Sequence, residues 1–161
     1  MLYKKYLKCI DEIIKKGQKP DVIFTDLLKF KYEIQFNELW NKLNTLIKKD
    51  GTIILLYSKD YQNYIKENNI NNFKYDFINV EDEIITVCYN NKTEQESLPL
   101  LEGLIKTYTK EGDIILNFSL EIEFPLFEIY DRKVNNVELN EEKIKAFKKD
   151  INKIKKLLKE K

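Results

Sequence analysis

FNELWNKLNTLIKKDGTIILLYS, residues 36–58, decides the fold class. In its first half Leu39, Leu43 and Leu46 follow one another at spacings of four and three. That is the apolar stripe of an amphipathic helix, and Gly51 stops it. The second half, TIILLYS (52–58), is a continuous apolar run of the kind needed by a strand buried on both faces. A helix that feeds straight into such a strand is one half of an α/β crossover.

The same alternation continues on both sides. DVIFTD (21–26), directly after Pro20, reads as another buried strand. KDYQNYIKEN (59–68) reads as a helix, and FKYDFINV (73–80) and EIITVCY (83–89) as a hairpin-like pair of strands. LPLLEGLIKTYTKEG (98–112) is a helix stopped by Gly112, DIILNF (113–118) a buried strand and KVNNVEL (133–139) a weaker one. The segment 140–161 opens with Asn140 as a helix cap and carries the stripe Ile144, Phe147, Ile151, Ile154, Leu158. Its nine lysines against four acids over 141–161 fit a solvated outer face. Strands and helices alternating in this way predict an α/β sheet, mostly parallel, with one antiparallel edge strand and helices on both faces.

Composition bounds the chemistry. A chain of 161 residues, 43% hydrophobic and 34% charged, fits one domain over residues 1–161. With 28 basic against 27 acidic residues it is not a globally basic nucleic-acid binder. Histidine is absent, which excludes Ser-His-Asp and Cys-His catalysis. Cys9 and Cys88 alone make no zinc site and no disulfide framework, so no metal is expected and the cytoplasm is the expected compartment. No apolar stretch is long enough for a membrane span, and MLYKKYLKCIDEII (1–14) has no signal-peptide core, so no membrane partner is expected.

Three blocks together resemble the β-type DNA adenine-N6 methyltransferases of phages and prophages. FNELWNKLNTLIKKDGTIILLYS, with Trp40 and the Lys-Asp-Gly turn, is similar to the helix and strand after the family's catalytic motif. LLEGLIKTYTKEGDIIL (100–116) resembles the helix before its cofactor strand, and DRKVNNVELNEEK (131–143) its second cofactor-domain strand. The likeness spans about residues 6–150 and implies a Rossmann-like methyltransferase fold.

The family's functional motifs are altered. Its catalytic Asp-Pro-Pro-Tyr is matched by Asp26-Leu27-Leu28-Lys29. The leucines remove the rigid φ of the prolines, and Lys29 puts a cation where an aromatic face should stack on a flipped base. The Gly-rich cofactor loop is matched by Asn117-Phe118-Ser119-Leu120-Glu121-Ile122-Glu123, without glycine. Asn117, Glu121 and Glu138, the last at the ribose-binding place, are vestiges of a cofactor site, as Asp26 and Lys29 are of a catalytic one. Lys92–Ser97 keeps only Gln95 of the family's upstream cofactor motif, and Lys8 stands where an acid contacts the cofactor's adenine. Only eight residues separate Tyr89 from Leu98, too few for a target-recognition segment.

These losses predict a pseudo-methyltransferase, a catalytically inactive binding protein with no cofactor. The implied origin makes it a phage or mobile-element inhibitor of a host defence complex, either a CRISPR effector (an anti-CRISPR) or a restriction nuclease. Its expected partner is thus a protein or ribonucleoprotein of a bacterial defence system in the cytoplasm of the host cell, with nucleic acid a second candidate. The expected contact surface is Glu81, Asp82, Glu83, Glu94, Glu96, Glu121, Glu123 and Phe127; Phe124, Phe127 and Tyr130 either plug the old cofactor cavity or, where exposed, form an apolar patch for the partner. Two alternatives stand beside it: an S-adenosylmethionine-dependent DNA adenine-N6 methyltransferase, and a pseudo-enzyme subunit of one.

Overall fold

The computed structural model describes residues 2–27, 35–57, 62–80, 83–93, 100–118 and 131–136. Ten elements follow one another: α1 (Leu2–Lys15), β1 (Val22–Asp26), α2 (Phe36–Leu46), β2 (Thr52–Tyr57), α3 (Gln62–Glu67), β3 (Lys74–Val80), β4 (Glu83–Tyr89), α4 (Leu100–Tyr108), β5 (Ile114–Asn117) and β6 (Lys133–Asn136). The expected helix at 140–161 lies outside the described residues, as do 137–139 of the expected last strand.

The strands form one sheet in the order β3-β4-β2-β1-β5-β6. β1 pairs in parallel with β2 and β5, and β5 with β6. β4 runs antiparallel to both β2 and β3. The antiparallel pairing is therefore at the edge, as expected, but the opposed strand is β4, one place in. β3 itself runs with the others, because a hairpin laid against β2 by its second strand puts its first strand outermost.

Side chains alternate across each strand and build two cores. On one face Ile23, Leu27, Ile53, Leu55, Leu116 and Phe118 pack with Tyr3, Tyr6 and Ile10 of α1, Leu39, Trp40 and Leu43 of α2, and Ile65 of α3. On the other, Val22, Phe24, Ile54, Leu56 and Ile115 pack with Leu104 and Ile105 of α4. The helical stripe of residues 36–46 thus faces the sheet, and its Trp40 is fully buried with its indole N–H donating to the Asn68 carbonyl at 2.8 Å.

Gly51 is required by close approach. A Cβ there would lie 2.5 Å from Ile47 Cγ1 and 2.9 Å from the Asp21 carbonyl. α4 stops at Tyr108, short of the expected Gly112, because the buried Arg132 closes its end. That guanidinium donates to the Thr109 hydroxyl at 2.8 Å and the Thr109 carbonyl at 2.9 Å. Gly112 then turns the chain at φ 83°.

Candidate functional site

The chain leaves β1 toward β2 on one side and leaves β5 toward β6 on the other. The crevice between β1 and β5 is therefore the topological switch point, and in open α/β sheets ligands bind there, outside the carboxyl ends of the strands. Those ends are Asp26 and Asn117, each followed by one more described residue, Leu27 and Phe118. At the opposite, amino ends Asp21 holds the two strands together. Its carboxylate accepts from the Ile114 N–H at 2.8 Å and from Lys48 Nζ at 2.9 Å.

Register sorts the four residues onto two faces. Phe24 and Asn117 are partners, so Asp26 and Asn117 share the face that carries α4. Leu27 and Phe118 share the face of α1 and α2. Both chains stay paired past the strand ends, since the Leu27 N–H donates to the Leu56 carbonyl and the Phe118 N–H to the Phe24 carbonyl, each at 2.9 Å. All four are buried, at 7% (Asp26), 1% (Leu27), 0% (Asn117) and 1% (Phe118) exposure. Asp26 and Asn117 both have interaction partners.

Two tyrosines of α1 complete the crevice. Tyr6 meets the Phe118 ring edge to face at 4.9 Å, and its hydroxyl shares a 2.7 Å hydrogen bond with Thr25 Oγ1. Burial pushes the Tyr6 hydroxyl far above its ordinary pKa, so it stays protonated. Tyr3, one turn earlier, exchanges two 3.2 Å hydrogen bonds with the backbone of Gln35. Strand–helix alternation alone does not announce α1 or these tyrosines. Their signal was the stripe Tyr3, Tyr6, Ile10, Ile13 and Ile14, helical in period but with two of its five residues tyrosine. Lys8 is exposed on the outside of this helix.

Of the remaining expected site residues, Lys29, Glu81, Asp82, Glu94, Glu96, Glu121, Glu123, Phe127 and Glu138 lie outside the described residues, with Phe124 and Tyr130. The backbone of Glu83 pairs with Val80, so β3 ends and β4 begins at the carboxyl end of the sheet. β4 then runs back, and the stretch that leads to Glu94 starts at the amino end. There Asn90 Nδ2 donates to the Lys49 carbonyl at 3.2 Å and the Thr93 N–H to the Thr107 carbonyl at 2.8 Å. The start of β4 at Glu83 and the residues that follow Tyr89 are thus at opposite ends of the strands. Sequence order had made them neighbours. Tyr64 packs on Phe36 at 5.2 Å at the rim of the core.

A polar cluster fixes this amino-end connection. The Asp76 carboxylate accepts from Tyr108 Oη at 2.5 Å, Lys92 Nζ at 2.9 Å and Tyr89 Oη at 3.4 Å. Burial pushes the Asp76 carboxyl up, but the hydrogen bonds from Tyr108 and Lys92, the Lys92 charge and the Tyr89 bond together hold it below its ordinary value of 3.8. A depressed carboxyl stabilises the fold above its unfolded pKa, and that contribution is lost as pH falls through the folded value. Urea unfolding of Asp76→Asn should therefore show less loss of stability than the parent as pH drops below about 4. Equal pH dependence in both would remove Asp76 from this role.

Elsewhere at the amino ends, Ile13, Gln18, Lys19, Pro20, Ile114 and Leu116 line a cavity of about 300 Å³. Among the described residues no group of three or more His, Cys, Asp or Glu side chains could hold a metal, and no helix is long and apolar enough to cross a membrane.

No family model and no curated protein matches the sequence. Solved structures do match in shape. M1.HpyAVI in complex with SAM (S-adenosylmethionine) superposes with a TM-score of 0.67 at 19% identity, over 90% of this chain and 94% of that one. The fold is methyltransferase-like. TTHA0409 of Thermus thermophilus, named a DNA modification methylase and complexed with S-adenosyl-L-methionine, gives 0.62 at 13% identity, over 89% and 92% of the two chains. The cytosine-N4-specific PvuII DNA methyltransferase gives 0.54 at 13%, over 88% and 87%. The methyltransferase-like fold is thus common to all three neighbours, and at these identities it is the fold alone that is shared.

Proposed function

We propose that this methyltransferase-fold chain works by binding and not by methyl transfer, as an inhibitor that engages a protein or ribonucleoprotein complex of a bacterial defence system. One observation carries the loss of chemistry: the protein's own atoms cover Asp26, Leu27, Asn117 and Phe118 at the carboxyl ends of β1 and β5. Leu27, Phe118 and Tyr6 fill the switch-point crevice on the α1 face, and the chain after Asn117 carries no glycine to let backbone approach a ligand. On this reading the residues do not fit S-adenosylmethionine. The step to a defence complex is supported only by the resemblance to stand-alone phage enzymes, combined with a core kept intact while the motif residues changed.

The contact surface proposed is the carboxyl end of the sheet, where β3 ends, β4 begins at Glu83, and β5 ends ahead of Glu121, Glu123 and Phe127. β4 and β5 stand three strand spacings apart, roughly 14 Å. That span suits a protein partner better than a small ligand. Glu94 and Glu96 follow a connection that starts at the other end, and they form at most a separate part of the surface.

A second reading is favoured by the placement of Asp26 and Asn117 on one face at the switch point. It makes the chain an S-adenosylmethionine-dependent DNA adenine-N6 methyltransferase, or a subunit that supports one, as the cofactor in the M1.HpyAVI and TTHA0409 complexes suggests. Isothermal titration with S-adenosylmethionine and its demethylated product separates the two. No heat up to millimolar ligand is the expected result. Micromolar binding would overturn the proposal and put the second reading first.

A further inference from the structure

We propose that α1 is a two-point latch between β1 and α2, with Tyr6 tied to Thr25 near the carboxyl end of β1 and Tyr3 tied to Gln35 at the start of α2. The two tyrosines are three residues apart and so lie on one face of the helix, with ring centroids 6.5 Å apart. The near bond joins two buried groups, Tyr6 Oη and Thr25 Oγ1, at 2.7 Å, one residue before Asp26. At the far end Tyr3 Oη donates to the Gln35 carbonyl and accepts from the Gln35 N–H, both at 3.2 Å. Gln35 is the N-cap of α2, and its side chain makes no capping hydrogen bond. Tyr3 therefore supplies from α1 a tie that the cap does not supply locally.

A purely apolar packing role would not select these hydroxyls. Phenylalanine at position 6 would bury the same ring but take this partner from the Thr25 hydroxyl, and at position 3 it would take one from the Gln35 backbone. A buried hydroxyl stabilises only when its partner is in one place, so the pair specifies where the chain leaves the sheet and where it re-enters at α2. The latch is independent of which partner or ligand the carboxyl end takes.

Amide hydrogen exchange followed by NMR on the full chain tests it, with Tyr3→Phe and Tyr6→Phe as separate variants. Tyr6→Phe should speed exchange at Leu27, whose N–H is bound to Leu56, by about five-fold, the factor that one lost hydrogen bond is worth. Tyr3→Phe should do the same at Gln35 and at Leu39, whose N–H is bound to the Gln35 carbonyl, while leaving Leu27 alone. Ile84–Cys88 in β4 should keep their parent rates in both variants. Tyr6→Phe combined with Thr25→Val leaves no orphaned hydroxyl, so it keeps the fold intact and should still release Leu27. Uniform acceleration that includes β4, or unchanged rates at Leu27 and Gln35, would overturn the latch.

Discussion

Phe118→Ala is expected to destabilise the protein by about 3–5 kcal/mol, the usual cost of emptying a buried phenylalanine site. The ring is 1% exposed and packs edge to face against Tyr6 at 4.9 Å, inside the core shared by α1 and α2. Tyr6 cannot follow it into the gap without giving up its hydrogen bond to Thr25, so the cavity would not collapse. For a fold whose whole stability is of order 5–15 kcal/mol, such a loss would move the urea midpoint far down. The position gives the number functional meaning, because Phe118 directly follows the carboxyl end of β5 at the switch point. A loss under about 1 kcal/mol would mean that the ring had room around it, since a filled core site costs several times that. The crevice would then be open, and a cofactor reading would gain ground.

Trp40→Ala should cost a similar amount, about 3–5 kcal/mol, and by a different route. Trp40 is fully buried between Phe36, stacked at 6.3 Å, and Phe73, tilted at 6.3 Å. Its indole N–H is bound to the Asn68 carbonyl just after α3, so it ties α2 to the α3–β3 connection. Trp40→Phe separates the contributions, since it keeps most of the apolar area and removes only the donor. Asn68 is exposed, its carbonyl can turn to water, and the bond by itself should be worth about 1 kcal/mol. Denaturant titration of both variants decides the matter. If Trp40→Phe were as costly as Trp40→Ala, the hydrogen bond and not the buried area would dominate.

Trp40 also shows how much of the molecule can be read locally. It belongs to the helix–turn–strand stretch whose period set the fold class. The structure makes it core, and the Lys-Asp-Gly turn after it a point of close approach at Gly51. A period in the sequence marks which side chains are buried, because burial on one face of a helix needs that spacing. It cannot say which other element buries them. Hence the strands of 22–26, 52–57, 74–80 and 83–89 were legible within a residue or so, whereas α1 was not. Its stripe opens with two tyrosines, a residue equally at home on a surface, and only the docking of the helix turns Tyr3 and Tyr6 inward.

Residue type and spacing were enough to establish the class of fold and the antiparallel pairing near one edge. These are local properties. It took the packing of distant elements to place the opposed strand inside the edge, to put Asp26 and Asn117 on one face, and to send the start of β4 at Glu83 and the residues that follow Tyr89 to opposite ends of the sheet. The same packing brings Leu27, Phe118 and Tyr6 into the crevice between β1 and β5. The physical reason is that strand order and register are set by which apolar faces meet, across separations of tens of residues, and no window of the chain contains both partners of such a contact.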